Sequence, residues 1–166
     1  MGVCGCGKTT VGRALANQLG WQFFDADDFH PQANVAKMAK GVALTDEDRG
    51  PWLDRLAAEM RAVTQKGQHA VLACSALKEA YRQRIARGME DSPGGGDSEV
   101  RIVYLKGDAQ TIGPRLALRS GHYMPPSLLA SQFAALEEPE DAMVIDIRQT
   151  AETQAAQIAA ALSSTV

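Results

Sequence analysis

Residues 2–9 read GVCGCGKT, which is a complete G-x-x-x-x-G-K-[ST] phosphate-binding loop. In such a loop the glycines let successive backbone N–H groups turn toward phosphate oxygens, and the following helix adds the unpaired N–H groups of its first turn. The lysine reaches the β- and γ-phosphates, and the threonine hydroxyl can bind magnesium. An ordinary glycine-rich turn is the alternative, but Lys8-Thr9 directly after the last glycine favours a nucleoside triphosphate site.

Composition limits the class of protein. The chain has 166 residues, of which 45% are hydrophobic, and this suits one globular domain over residues 1–166. No apolar run approaches the roughly 20 residues needed to span a membrane, and we expect no secretory signal. The net charge of −3 gives no broad basic surface for nucleic acid. Cys4, Cys6 and Cys74 cannot all pair within one chain, so we expect a reducing cytoplasm.

Hydrophobic spacing predicts strands that alternate with helices. The predicted strands are 21–24, 70–74, 101–105 and 143–147, and the predicted helices are 9–19, 32–40 through Val35 and Met38, 48–66, 76–87 and 151–162. This alternation predicts an α/β fold of the P-loop NTPase type, with three layers and a parallel sheet. Residues 92–98 contain Pro93 and three glycines, and they predict a flexible insertion.

An acidic segment, residues 25–31 (DADDFHP), directly follows the predicted strand 21–24. Ligands of open parallel sheets bind at this carboxyl edge. One carboxylate there can lie near magnesium while another accepts the proton of a substrate hydroxyl that attacks the γ-phosphate. The alternative is a turn in which Asp27 or Asp28 caps the next helix.

A second polar segment, residues 74–78 (CSALK), ends the next predicted strand, and Tyr81-Arg82 follows it. The hydroxyl of Ser75 and the cations Lys78 and Arg82 would suit an anionic small molecule, with Arg82 offering a bidentate fork. A capped helix with solvated charges is equally consistent. This strand carries no aspartate for magnesium, so that role falls to Asp25 or to water.

Arg115 and Arg119 have a spacing that places both on one helix face, ahead of the glycine- and proline-containing segment 121–126. A basic helix with a hinge could form a helical lid over the triphosphate, which we assign to about residues 115–136. The alternative is a surface helix with two arginines.

In combination, these segments resemble gluconokinases of the thermoresistant type, within the shikimate-kinase-like group of P-loop kinases. The resemblance runs from Gly2 to the last helix. It rests on residues 2–9, 25–31, 44–49 (LTDEDR), 51–53 (PWL), 74–78, 121–126 (GHYMPP) and 131–133 (SQF).

The resemblance implies transfer of the γ-phosphate of ATP to the 6-hydroxyl of D-gluconate, for the pentose phosphate route, by a homodimer. It implies Asp27 as the base, Asp25 with Thr9 on the magnesium side, and Lys8, Arg115 and Arg119 as the other catalytic residues. The implied ATP-binding residues are Gly2, Cys4, Gly5, Cys6, Gly7, Lys8, Thr9, Thr10 and Arg115, and the implied gluconate-binding residues are Asp27, His30, Arg49, Ser75, Lys78, Arg82 and His122.

Two departures from the family pattern carry expectations. Cys4 and Cys6 replace the usual serines, and phosphate binding should survive because these positions contribute mainly backbone N–H groups. The apolar central strand that precedes the loop is missing from the sequence, so we expect low stability and activity compared with an upstream-extended chain. Two other functions stay open: a kinase for another small polyol or acid, such as shikimate, and, because of the missing strand, a truncated nucleotide-binding protein with little catalysis.

Overall fold

The computed structural model describes residues 1–90, 99–117 and 128–164. The predicted insertion at 92–98 and the residues 118–127 of the predicted lid lie outside this part of the chain. The helices are α1 (Lys8–Leu19), α2 (Gln32–Ala39), α3 (Asp46–Thr64), α4 (Glu79–Glu90), α5 (Ala109–Ala117), α6 (Leu129–Ala135) and α7 (Ala151–Ser163). The strands are β1 (Gln22–Asp25), β2 (Ala70–Ala73), β3 (Val103–Lys106) and β4 (Met143–Asp146), and a 3-10 turn (Ala26–Phe29) follows β1.

Capping residues explain where the helices begin and end. Helix α1 ends at Gly20, whose left-handed φ of 69° lets its N–H close on the Ala16 carbonyl. Helix α3 begins earlier than predicted because Thr45 and Asp48 form a capping box. Helix α4 begins later than predicted, at Glu79, because Ala76 has a φ of 42° and cannot start a right-handed helix.

The strands pair in parallel, as predicted. Strand β1 pairs with β2, with Phe23 opposite Val71, and β3 pairs with β4, with Tyr104 opposite Val144. Within the described residues these pairs form two separate two-stranded sheets.

The beginning of the phosphate loop lies between the two sheets. The Leu105 N–H donates to the Met1 carbonyl at 3.0 Å, and the Gly2 N–H donates to the Ser75 carbonyl at 3.2 Å. The loop therefore contacts the carboxyl ends of both sheets.

Two hydrophobic clusters hold the layers together. One joins loop residues Val3 and Cys6 to Ile112, Ile147 and Ile158, which belong to or adjoin α5, β4 and α7. The other, centred on α3 and α4, includes Trp52, Leu56, Met60, Tyr81 and Ile85. The phosphate loop is thus part of the core on one side. In the described ranges, no helix is both long and apolar enough to cross a membrane.

Candidate active site

The phosphate loop has the backbone conformation that its glycines allow. Gly2, Gly5 and Gly7 have φ angles of 141°, 82° and 100°, a region that other residues rarely adopt. A Cβ at Gly2 would lie 2.9 Å from both Cys6 Sγ and the Leu105 carbonyl oxygen. Gly7 precedes α1 without a side-chain cap, so the first-turn N–H groups of the helix can bind an anion.

Lys8 lies across the loop. Its Nζ donates to the carbonyls of Gly2 and Val3, each at 3.0 Å. Burial lowers the pKa of Lys8, but Coulombic attraction to Cys6, Cys4 and Asp27 outweighs it and leaves the pKa above its usual value. The lysine is therefore an ammonium at the centre of the loop.

Thr9 and Asp25 meet where α1 begins and β1 ends. Thr9 Oγ1 donates to Asp25 Oδ2 at 2.7 Å, and Asp25 Oδ1 accepts from the Asp27 N–H at 3.2 Å. A hydroxyl next to a carboxylate gives the hard oxygen ligands that Mg²⁺ prefers, and Mg²⁺ usually takes only one or two protein ligands besides phosphates and water. The residues present therefore fit a magnesium ion.

A cleft of about 380 Å³ opens over the loop, within the size range of small-molecule sites. It brings together most of the predicted site residues. Those in its lining are Cys4, Gly5, Cys6, Gly7, Lys8, Thr9, Thr10, Asp25, Asp27, His30, Arg49, Ser75 and Arg115.

Asp27 and His30 lie on the side of the cleft formed by the 3-10 turn. The His30 ring stacks on Trp52 with 4.2 Å between ring centroids, and the Trp52 indole N–H donates to the Ala26 carbonyl at 2.8 Å. Burial lowers the pKa of His30 to about 4, against a smaller opposing effect of Asp27. Its Nδ1 is buried with no partner within the described residues. His30 is thus a neutral ring that can bond a hydroxyl.

Arg49 borders the same side of the cleft. Its guanidinium donates to the carbonyls of Leu44 and Thr45 and lies over the Tyr81 ring, 5.5 Å from its centroid. These contacts hold the cation beside the cleft, where it can attract a carboxylate.

Lys78 and Arg82 lie outside the cleft lining, as does Gly2. The Lys78 ammonium pairs with Asp46 at 2.8 Å. Arg82 is only 7% exposed, and it donates to the Ala76 carbonyl at 3.0 Å and pairs with Glu79 at 2.7 Å. Arg82 thereby braces the left-handed turn at Ala76 that follows Ser75. As gluconate ligands, Lys78 and Arg82 stay predictions, and each would have to exchange these partners.

The opposite end of the cleft is formed by α5 and by the turn after β4. Arg115 Nη2 donates to the Ile147 carbonyl at 2.9 Å, and Gln149 and Gln154 line the cleft beside it. The predicted lid residues Arg119 and His122 lie outside the described residues.

Comparison with known proteins identifies the family. The sequence profile described as Shikimate kinase matches residues 4–162. The chain belongs to the shikimate kinase family. Membership confirms the predicted P-loop kinase fold and the predicted class of enzyme, a phosphotransferase.

Curated relatives of this kinase are gluconokinases, which confirms the predicted resemblance. A probable gluconokinase of Mus musculus is 49% identical over 148 residues, covering 84% of this chain and 80% of the relative. The thermosensitive and thermoresistant gluconokinases of Escherichia coli K12 are 43% and 38% identical, covering 89% and 92% of this chain and 76% and 85% of their own lengths.

Two solved structures of related kinases superpose on most of this chain. An unliganded sugar kinase from Janibacter superposes with a TM-score of 0.86 at 41% identity, covering 98% of this chain and 91% of the other. A gluconokinase from Sinorhizobium meliloti superposes with a TM-score of 0.77 at 34% identity, covering 99% and 94%.

Several residues that line the cleft of the kinase were not predicted from its sequence. Trp52, Gln132 and Gln154 contribute side chains, together with apolar groups from Met38, Leu44 and Leu77. Trp52 and Gln132 belong to segments quoted for the family resemblance, so that resemblance was a signal for them. Gln154 gave no signal, because a glutamine in the first turns of an amphipathic helix looks like a solvated residue.

Proposed function

We propose that this kinase transfers the γ-phosphate of ATP to the 6-hydroxyl of D-gluconate, giving 6-phospho-D-gluconate and ADP. The observation that carries the proposal is that the Lys8 loop and Asp27 line one cleft in a chain whose curated relatives are gluconokinases.

Asp27 is the proposed general base. Its carboxylate takes the proton of the 6-hydroxyl as that oxygen forms a bond to the γ-phosphorus, and the bond from the γ-phosphorus to the bridging oxygen of ADP breaks. The Asp27 backbone N–H bonds Asp25 at 3.2 Å, so the base and the proposed metal-side carboxylate are held in one turn. Little covalent chemistry falls to the protein, which contributes positioning and electrostatic stabilisation.

In this proposal, cationic side chains approach the transferring phosphoryl group from two sides. Lys8 neutralises the β/γ end of the triphosphate from beneath, and Arg115 acts from α5, with Arg119 as the further lid arginine. Magnesium, held by Thr9 and Asp25, would neutralise phosphate oxygens when bound. Charge neutralisation by fixed groups in a partly enclosed site is the largest contribution expected for phosphoryl transfer.

Gluconate binding is assigned to the side of the cleft that carries the 3-10 turn and α3. Arg49 would bind the carboxylate, while His30 and Ser75 would bond hydroxyl groups. His122 is a further proposed ligand from the sequence pattern. The neutral His30 ring suits a polyol, because an imidazolium would need a fixed anionic partner.

A panel of acceptors tests the proposal. ADP release would be measured with ATP and Mg²⁺ against D-gluconate, shikimate, glycerate and D-glucose, with Asp27→Asn as the matched inactive control. Release that depends on gluconate and is lost in the control supports the assignment. The name of the family makes shikimate the second candidate. Shikimate as the preferred acceptor, or no acceptor-dependent release, would contradict the assignment.

A homodimer in the cytoplasm is also proposed. The family resemblance is the ground for the dimer, and light scattering of the purified chain tests it. None of the three cysteines forms a disulfide in the part of the chain that the structure describes, and all three are buried, which suits a reducing compartment.

A further inference from the structure

Helix α6 contacts the phosphate loop through a side chain to which the proposed function gives no role. Gln132 Oε1 accepts a hydrogen bond from the Cys4 backbone N–H, with 2.6 Å between the two atoms. Both residues line the cleft. Because the amides of such loops face phosphate oxygens, a side chain bound to one of them adjoins the path of the triphosphate.

The segment that carries Gln132 is held in place by contacts of helix α6 and of the residues that follow it. Leu129 and Phe133 pack against the cluster that contains the phosphate loop. Beyond the helix, the Glu137 N–H donates to the Leu77 carbonyl at 2.9 Å, and Glu137 Oε2 accepts from the Glu79 N–H at 2.6 Å. Helix α6 is therefore anchored to the segment that leads from β2 into α4, as well as to the phosphate loop, and it can hold Gln132 in one position.

We propose that Gln132 is a positioning residue for phosphoryl transfer, an inference that rests on the kinase function proposed above. Its side-chain oxygen binds the Cys4 N–H. This contact fixes the position of the first half of the loop, which is remote from α1, relative to the acceptor side of the cleft. Phosphates bound at the start of α1 are expected to depend little on this contact. The terminal phosphate, which must line up with the acceptor hydroxyl, depends on it most.

The chemistry of an amide fits this role. A carboxylate at position 132 could still accept from the Cys4 N–H, but its charge would repel an anionic triphosphate. An aliphatic side chain of the same length would leave the Cys4 N–H without this acceptor. The two substitutions therefore separate the contact from the charge.

The test compares Gln132→Met, Gln132→Glu and the wild-type chain, with Gln157→Met on the exposed side of α7 as the matched control. The measurements are kcat, the KM for ATP, the dissociation constant of ADP by calorimetry and the melting temperature. For Gln132→Met we expect kcat to fall about tenfold or more, since misplacement of a reacting group is costly, while ADP binding stays within about twofold. For Gln132→Glu we expect kcat close to wild type and a KM for ATP raised about tenfold.

The outcomes separate this inference from the proposed function. A wild-type kcat in Gln132→Met would overturn the inference. A Gln132→Glu variant as slow as Gln132→Met would also overturn it, because the oxygen acceptor would then not be the feature that matters. A parallel loss of melting temperature and ADP binding in Gln132→Met would also overturn it, because the role would then be structural. Failure of the proposed function would give a different result, because the wild-type chain itself would then release no ADP with gluconate.

Discussion

The Thr9 hydroxyl donates a hydrogen bond of 2.7 Å to Asp25 Oδ2, and this contact joins the first turn of α1 to the end of β1. It brings the threonine of the phosphate loop next to the first carboxylate of the acidic segment. Two parts of the sequence that were assigned to magnesium for separate reasons are thus neighbours in space.

Thr9→Val tests this pairing. The substitution keeps the shape of the side chain and removes the hydroxyl, so we expect the Mg²⁺ concentration for half-maximal activity to rise about tenfold to a hundredfold. Thr9→Ser keeps the hydroxyl and is the matched control, with near wild-type dependence expected. Activity would be titrated with MgCl₂ at fixed ATP, and identical curves for Thr9→Val and Thr9→Ser would contradict the assignment.

Asp27→Asn tests the general base. An amide of the same size cannot take the proton of the acceptor hydroxyl, so we expect kcat to fall about 10²- to 10⁴-fold. The dissociation constant of ADP should change little, because the phosphates bind to the loop. Asp28→Asn, at an exposed position of the same turn, is the control. Unchanged turnover in Asp27→Asn would remove the assignment.

The lowered pKa of His30 predicts a pH dependence of stability. Burial moves the pKa from 6.5 to about 4, so between these values the folded chain binds fewer protons than the unfolded chain. Folding stability therefore falls as the pH is lowered from 6.5 toward 4.

Melting temperatures measured across this range should fall less steeply in His30→Asn than in the wild-type chain. His69→Asn is the control, because His69 is exposed. Parallel pH profiles for wild type and His30→Asn would show that His30 does not carry the effect.

Gly5→Ala tests the close packing of the phosphate loop on α5. A Cβ at Gly5 would lie 2.7 Å from Leu116 Cγ, and the φ of 82° would be strained with any side chain. We expect a loss of about 1–3 kcal/mol in the free energy of unfolding.

Gly113→Ala is the matched control in α5, since nothing outside its chain neighbours and the helix's own backbone lies within 4 Å of its added Cβ. It should change the free energy of unfolding by less than about 1 kcal/mol, because the helix preference of alanine is opposed by contact of its Cβ with the ring of Pro114, the next residue. Denaturant unfolding measures both variants. Equal stability of the two would contradict the packing argument.

The raised pKa of Cys74 predicts low thiol reactivity. Burial raises this pKa to about 11, so at pH 8 only about one thiol in a thousand is ionised. In a Cys4→Ser/Cys6→Ser chain, iodoacetamide should leave Cys74 unmodified while the protein is folded and label it in denaturant.

The same double variant should keep its activity, because the loop acts through backbone N–H groups. Rapid labelling of the folded chain, measured by mass spectrometry, would contradict the first expectation.

Local chemistry decided which parts of the fold could be predicted. Helix α1 and the loop before it follow from glycines and apolar spacing, and the structure agrees to within a residue. The start of α4 was predicted wrongly, because nothing in the sequence marks Ala76 as a left-handed residue; its turn depends on the distant Arg82 side chain. A helix through Arg115 and a helical lid over about residues 115–136 were predicted, but the bounds of α5 and α6 were not, since both helices are short and Pro114 interrupts the signal of the first.

The candidate site shows the same division. Residues adjacent to glycines or at strand ends, such as Lys8, Thr9 and Asp25, could be assigned from motif chemistry alone. Side chains that reach the cleft from elsewhere in the chain, such as Gln132 with its contact to Cys4, depend on tertiary packing and carry no local signature.

The two sheets meet at the beginning of the phosphate loop, and we call this junction the seam; it gives ligand binding a second consequence. Met1 and Gly2 bond to both sheets, with Asp27 on one side of the seam and Arg115 on the other. A nucleotide bound to the loop would act as a clasp across this seam, so its binding energy would also hold the two halves of the domain together. Tight ligands should therefore protect amides in β2 and β3 from hydrogen exchange, although these strands lie outside the cleft lining.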